Sequence, residues 1–304
     1  PIDQFVAALK QAVSASKAAS SIAGGMGGDA LQAQQASAVS NAAIAGAGAP
    51  PQLQGFVSSV TNSGQSATVS SAQGAISDVY STTVLPACLA ATKDKYPFYG
   101  KSPDNPLPAN ASLSDVQQVF AMGGTMDGFV SQRVLPLVDM GGPVWRWRAD
   151  NQVTAGFSPS SPEEFAKTRK LKEMLLEGLT VKLEAKSFGA GADAAELVVG
   201  STQYRFEPGS AGERPIVWSA QGNVPQASLT LFAKGAKVLE IPASGPWALF
   251  RLMDEGQFEK RGGTWFGTFG SGSRSIAFKF TFPTEQNPFT RGAVPWSFRC
   301  PVTL

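Results

Sequence analysis

The chain has 304 residues, a formal net charge of +2 and no histidine. Near-neutral charge without any basic run interleaved with aromatics gives no electrostatic case for nucleic acid, and the missing imidazole removes Ser-His-Asp triads, Cys-His pairs and histidine metal sites together. The length suits two domains or one large one; no apolar run of about 18 residues or more reads as a membrane span. No charged n-region with an apolar core reads as a signal peptide, and the sequence is read as a piece of a longer protein.

Residues 1 to about 90 are dominated by Ala, Ser, Gly and Gln. Ile2, Phe5, Val6, Leu9 and Val13 recur at helical spacing. Gly24–Gly28 breaks that helix, and Asp29 caps a second one that ends near Gly46–Pro51. A third helical segment runs from about Pro51 to Ala91, with a break expected between Gly64 and Ser71. Ser112-Leu-Ser-Asp115 opens another helix, and Gly123-Gly124 stops it. Thr125 caps a further helix carrying Met126, Phe129, Val130 and Val134. Pro143-Val-Trp-Arg-Trp-Arg148 reads as extended, its Trp residues on a buried face and its Arg residues on a solvated one. Ser161-Pro-Glu-Glu164 is a strong helix start, with Ser161 as cap and acids in the first turn, and the helix runs to Gly178.

From Leu179 the apolar period changes to two. Thr180–Ala185, Glu196–Val199, Gln203–Phe206, Arg214–Trp218, Ser228–Phe232, Lys237–Ile241, Gly263–Phe269 and Ser275–Phe282 read as short antiparallel strands, with Lys234-Gly235 as a hairpin turn. Ile276, Phe278, Phe280 and Phe282 share one face. The expected class is α+β: a helical domain over residues 1–178, then an antiparallel β-sandwich over 179–304. Within the sandwich, Pro242–Gly256 reads as a short buried helix. Ser244 or Gly245 caps it, Pro246 fits its first turn, Gly256 takes a left-handed C-terminal position, and Trp247, Leu249, Phe250, Leu252 and Met253 are apolar on nearly every side. Arg251 is expected to bond carbonyls or Asp254.

No constellation carries catalysis. Glu163-Glu164 point apart on a helix and complement its dipole. Asp254-Glu255 and Glu240 follow no glycosidase spacing, and the Gly-rich pieces match no phosphate-binding loop. Lys167, Arg169, Lys170 and Lys172 form a basic helical face that reads as solvated. Cys88 and Cys300 cannot make a closed zinc site; they either pair across the two halves or stay as separate buried thiols. The residues therefore describe a non-enzyme without metal or cofactor. A carbohydrate-binding module for peptidoglycan, using surface Trp, is the alternative reading; a cryptic hydrolase is a third.

Several blocks match one family. They are Cys88 with Lys95-Tyr-Pro-Phe98; Leu113–Phe120 leading to Gly123-Gly-Thr-Met-Asp-Gly-Phe129; Leu135-Pro-Leu-Val-Asp139; Trp145; Phe165–Lys170; Gln203-Tyr-Arg-Phe206; Val217-Trp218; Gly245-Pro-Trp-Ala-Leu-Phe-Arg-Leu252; Asn287-Pro-Phe289; and Phe298-Arg-Cys-Pro301 with Leu304. The sequence resembles the distal periplasmic region of the TssM (IcmF) family of type VI secretion systems over roughly residues 85–304. It departs from the family's pattern at Lys95, where Arg is usual, and at Ala121-Met122 before Gly-Gly, where Pro is more usual. The resemblance implies a periplasmic scaffold of the trans-envelope complex, belonging to a protein anchored in the inner membrane. Its implied partners are the outer-membrane lipoprotein TssJ, other copies of the same protein, and TssL. This stretch itself would make no membrane contact. Tyr96, Phe98, Trp247, Phe250 and Arg251 then stand as structural residues, and the implied compartment favours a Cys88–Cys300 disulfide.

Overall fold

The computed structural model describes residues 66, 69–99, 108–210, 212–221, 225–283 and 287–304. The helices expected before Pro51 lie outside the described residues, as do Gly64, Gln65, Ala67 and Thr68 of the stretch where a break is expected. Contacts divide the chain into two compact units, each made of separate stretches: Pro1–Pro86 with Gly128–Phe165 and Pro301–Leu304, and Ala87–Asp127 with Ala166–Cys300. The helical residues within 87–92, 113–120 and 166–177 thus share a unit with the strands.

Helix α1 covers residues 69–79 and passes through a π turn, Tyr80–Val84, into α2, Leu85–Thr92. In that turn the Leu85 N–H bonds the Tyr80 carbonyl. The next residue is Pro86, which lacks an N–H to continue the α ladder. The same arrangement recurs after α4, Thr125–Phe129, where the π turn Val130–Val134 closes with Leu135 N–H on the Val130 carbonyl, immediately before Pro136. Between them, α3 covers Leu113–Phe120, with the Ser112 hydroxyl accepting from the Asp115 N–H as its cap. Thr125 does not cap α4 from outside; it lies within the helix, and Asp127 Oδ2 accepts from the Gly123 N–H instead.

In the first unit, a 3₁₀ turn at Leu135–Leu137 leads into the short pair β1, Val138–Asp139, and β2, Arg146–Trp147. Tyr80, Phe129 and Phe165 form its aromatic core, with Tyr80 centroids 5.3 Å from Phe129 and 5.9 Å from Phe165. The segment Pro301–Leu304 lies against this core as a strap. The Tyr80 hydroxyl donates to the Pro301 carbonyl at 2.5 Å, the Ser161 hydroxyl to the Thr303 carbonyl at 2.7 Å, and the Ser158 N–H to the Leu304 carbonyl at 2.5 Å. Ser161, expected as the cap of α5 (Ser161–Glu177), is instead the first residue inside that helix and spends its hydroxyl on the strap.

The second unit holds α5 from Ala166 onward and both sheets. α5 ends as its sequence predicts, with Gly178 at φ +76 and its N–H on the Met174 carbonyl. The strands that follow are β3 Leu179–Phe188, β4 Ala194–Val199, β5 Thr202–Phe206, β6 Arg214–Trp218, β7 Gln226–Ala233, β8 Ala236–Ser244, β9 Gln257–Arg261, β10 Thr264–Ser271 and β11 Arg274–Thr281. They form a five-stranded sheet, β6-β3-β11-β10-β9, and a four-stranded sheet, β5-β4-β7-β8, all antiparallel. The fold class is α+β with a β-sandwich. Alternation sets the faces: Val181, Leu183, Ile276, Phe278, Phe280 and Phe269 are buried from one sheet, Leu197, Val199, Leu229 and Leu231 from the other. Phe282, expected on the same face, lies beyond the end of β11 and is only half-buried. Both strand prolines, Pro215 and Pro242, sit on edge strands, where a missing N–H breaks no ladder. Lys234 (φ +50) and Gly235 (φ +77) make the β7–β8 turn with both central residues left-handed, matching hairpin twist.

The outer face of the five-stranded sheet carries a charge network. Glu213 accepts from the Thr281 hydroxyl at 2.7 Å and from Lys279 at 3.3 Å. Those bonds, Thr281 first, hold its carboxyl below the usual carboxylate range.

Candidate functional site

The residues marked as structural from the sequence gather in the second unit around helix α6, Ala248–Asp254. This helix is shorter than expected. Pro242–Ser244 belong to strand β8, because a proline is compatible with that edge and its backbone pairs with β7 through Ser228↔Pro242. Trp247 is the cap residue, and no side chain caps it. Gly256 is not left-handed: Glu255 is the C-cap, and Gly256 is small because a Cβ there would meet the Phe269 ring at 2.7 Å. Gly245 is the left-handed residue, at φ +90, and a side chain on it would run into Asn110.

Trp247 and Phe250 are both fully buried. Trp247 stacks on Trp218 of β6 with centroids 5.2 Å apart, and its indole N–H donates to the Ala111 carbonyl at 2.7 Å. Phe250 meets Trp218 edge-on at 5.2 Å and Phe289 at 5.4 Å. The Trp218 indole N–H donates to the Pro246 carbonyl at 3.3 Å, tying β6 to the turn that begins the helix. Phe98 is equally buried, with Trp247, Phe120 and Phe298 around it at 6.2–6.3 Å.

Arg251 leaves this apolar helix sideways. Its Nε donates to Asn110 Oδ1 at 2.9 Å and its guanidinium NH2 to the Pro108 carbonyl at 2.6 Å, while the guanidinium lies 4.1 Å from the Tyr96 ring centroid. Of the two expected partner types, a carbonyl is used. Asp254 goes to Arg291 instead, at 2.8 Å, which offsets its unfavourable place at a helix C-terminus. Tyr96 is fully buried, and its main chain exchanges hydrogen bonds with the far side of the loop: Tyr96 N–H to the Ala109 carbonyl at 2.8 Å, Ala111 N–H to the Tyr96 carbonyl at 2.7 Å. Burial pushes its phenol pKa well up, with the Asp254 charge adding to the rise.

Cys88 and Cys300 form a disulfide with Cα atoms 6.1 Å apart, tying α2 to the segment before Pro301. The Thr92 hydroxyl, which donates to the Cys88 carbonyl, lies 3.3 Å from Cys300 Sγ. Asn110, Pro108 and Phe289 complete the cluster, and no spacing rule in the sequence marks them. The assembled groups are stacked rings, one guanidinium and an amide. This chemistry fixes positions. Among the described residues no group of three His, Cys, Asp or Glu is arranged to hold a metal ion.

The comparisons with known proteins bear on the same unit. Residues 181–284 match the type VI secretion protein IcmF C2-like domain. Over 78% of its length it is 26% identical to the type VI secretion system component TssM1 of Pseudomonas aeruginosa, and it spans 22% of that relative's length. The fold is that of solved secretion-system structures. The C-terminal domain of the T6SS protein TssM from EAEC superposes with a TM-score of 0.58 at 18% identity, covering 71% of this chain and 92% of that one. A type VI secretion system membrane core complex chain gives 0.64 at 16% identity, covering 93% of this chain and 60% of that one.

Proposed function

We propose that this chain is a non-enzymatic scaffold module of a type VI secretion membrane complex. In this reading it stands in the periplasm as part of an inner-membrane-anchored protein, docks the outer-membrane lipoprotein TssJ and assembles with further copies of itself and with TssL. The observation that carries the reading is the IcmF C2-like match over residues 181–284, supported by the relationship to TssM1 and by a fold shared with a membrane core complex. The candidate site fits a scaffold, since its groups hold a loop, a helix and a strand together. No helix among the described residues is long and apolar enough to cross a membrane.

The peptidoglycan-binding alternative needs exposed, coplanar Trp side chains. Trp218, Trp247 and Trp296 are buried, and Trp145, Trp147 and Trp265 are half-buried, which weighs against it. The test is co-purification and titration calorimetry with the cognate outer-membrane lipoprotein. Binding at micromolar concentrations of both is expected; none at those concentrations refutes docking by this stretch. Pelleting with purified peptidoglycan sacculi in place of the lipoprotein favours the alternative.

A further inference from the structure

A sheet edge is a row of unpaired main-chain groups, and proteins that stay apart blunt it. The two sheets of the second unit end in four edge strands, β6, β9, β5 and β8, and among the described residues no further strand pairs with any of them. Three of these edges are blunted. β6 carries Pro215. β9 carries Glu259, Lys260 and Arg261 in succession. β8 carries Pro242, and its register with β7 passes over Val238 as a bulge. β5, Thr202–Phe206, has no proline, no bulge and a single charge. That charge, Arg205, donates to Glu207 at 2.8 Å and lies 5.8 Å from the ring of Phe232 on β7, so it reaches back across its own sheet and away from the edge.

The register shows what this edge offers. Gly200-Ser201 joins β4 to β5 as a two-residue turn closed by Val199↔Thr202, and the Gly200 N–H donates to the Gln226 carbonyl of β7. Main-chain groups alternate sides along a strand. Thr202, Tyr204 and Phe206 therefore turn theirs to β4, and Gln203 and Arg205 turn theirs outward.

We propose that the β5 edge pairs with the β5 edge of a second copy of this chain, antiparallel about a two-fold axis at Tyr204. The proposal rests on the reading above that the chain assembles with further copies of itself. In this register Gln203 of each copy meets Arg205 of the other and exchanges main-chain bonds with it, while Tyr204 meets Tyr204 in the closer, non-hydrogen-bonded position. No charge faces its like, since each Arg205 stands beside an amide oxygen able to accept from it. β9 paired with itself about its middle residue would set Glu259 on Glu259. An isologous contact needs a self-complementary strand, and β5 is one.

Cross-linking tests it. The two cysteines of the chain are bonded to each other, so Tyr204→Cys supplies a single thiol. At a non-hydrogen-bonded position the paired Cα atoms stand about 4.5 Å apart, within disulfide reach. With oxidised glutathione, Y204C is expected to form a covalent dimer about tenfold faster than S273C, a control on the exposed β10–β11 turn. Gln203→Pro removes an outward N–H and leaves the β4 ladder alone; Y204C/Q203P is expected to lose the advantage while its melt is unchanged. Y204C against S273C decides alone should the proline variant not fold. Sedimentation equilibrium of the unsubstituted chain and of Q203P separates this proposal from the reading beneath it. Association that Q203P loses supports the β5 edge. Association that Q203P keeps, with Y204C no faster than S273C, overturns the edge and leaves self-assembly standing at another surface. A chain that stays monomeric, again with Y204C no faster than S273C, overturns both. Loss of lipoprotein binding in Q203P with self-association intact overturns the second copy as occupant and gives the edge to a strand of the lipoprotein.

Discussion

Phe250 concentrates the cost of disturbing the site. It is fully buried with Trp218, Trp247 and Phe289 around it, so Phe250→Ala removes the ring and leaves a cavity. A loss of about 3–5 kcal/mol in denaturant unfolding is expected, and any secretion defect then follows from folding. The two buried phenols make a pH test. Burial raises the pKa of both Tyr80 and Tyr96. The folded chain therefore keeps these protons to higher pH than the unfolded chain. The stability they lend is whole below about pH 10 and declines as pH climbs above it toward the raised values. Alkaline unfolding followed by phenolate absorption should thus show these two groups titrating only with loss of structure, and a Y80F/Y96F variant should unfold less steeply with pH. Half-buried Glu213 goes the other way. Its Thr281 and Lys279 bonds lower its pKa, so that contribution is present above the ordinary carboxylate pKa and is lost as pH falls through the folded value. Thr281→Val should move the Glu213 carboxyl resonance titration upward.

At the scale of elements, the sequence marked what is locally determined. The Ser112 cap, the stop at Gly178, the alternation along β11 and the Lys234-Gly235 turn all follow from neighbouring residues, and all are present. Signals failed where a distant partner decides. Pro242 looks like a helix entry but serves an edge strand, because its role depends on β7 alongside it and on nothing beyond. Gly256 looks like a helix terminator, yet the Phe269 ring is what excludes a side chain. Ser161 looks like a cap until Thr303, far away in sequence, takes its hydroxyl. The two glycines allow a paired test. Gly256→Ala should cost about 1–3 kcal/mol through overpacking. Gly235→Ala meets open space and should cost only about 1 kcal/mol, from its left-handed backbone. Thermal melts of both variants check the order.

For the whole molecule, what the residues alone could not supply was long-range pairing. Nothing local places β3 between β6 and β11, or brings Asn110 to Arg251. Candidate core residues were legible because burial follows apolarity; their partners were not, because partnership is a property of topology. The disulfide spans 212 residues of sequence, and chain-entropy loss in the unfolded state assigns a loop of that size about 4–5 kcal/mol. A lowered melting temperature on dithiothreitol treatment is the expected reading. The clamp at Tyr96 and Arg251 has a separate consequence. Both sides of the stretch between Tyr99 and Pro108 are fastened, by the Tyr96–Ala109 and Ala111–Tyr96 backbone bonds, by Arg251 on Pro108 and Asn110, and by Arg299 on the Phe98 carbonyl. A span with anchored ends is a grafting port. Because the flanking residues carry their own bonds, Gly-Ser sequence inserted between Tyr99 and Pro108 should cost only about 0.6 kcal/mol of closure entropy per doubling of length, and a melt of a variant bearing an epitope tag there checks it.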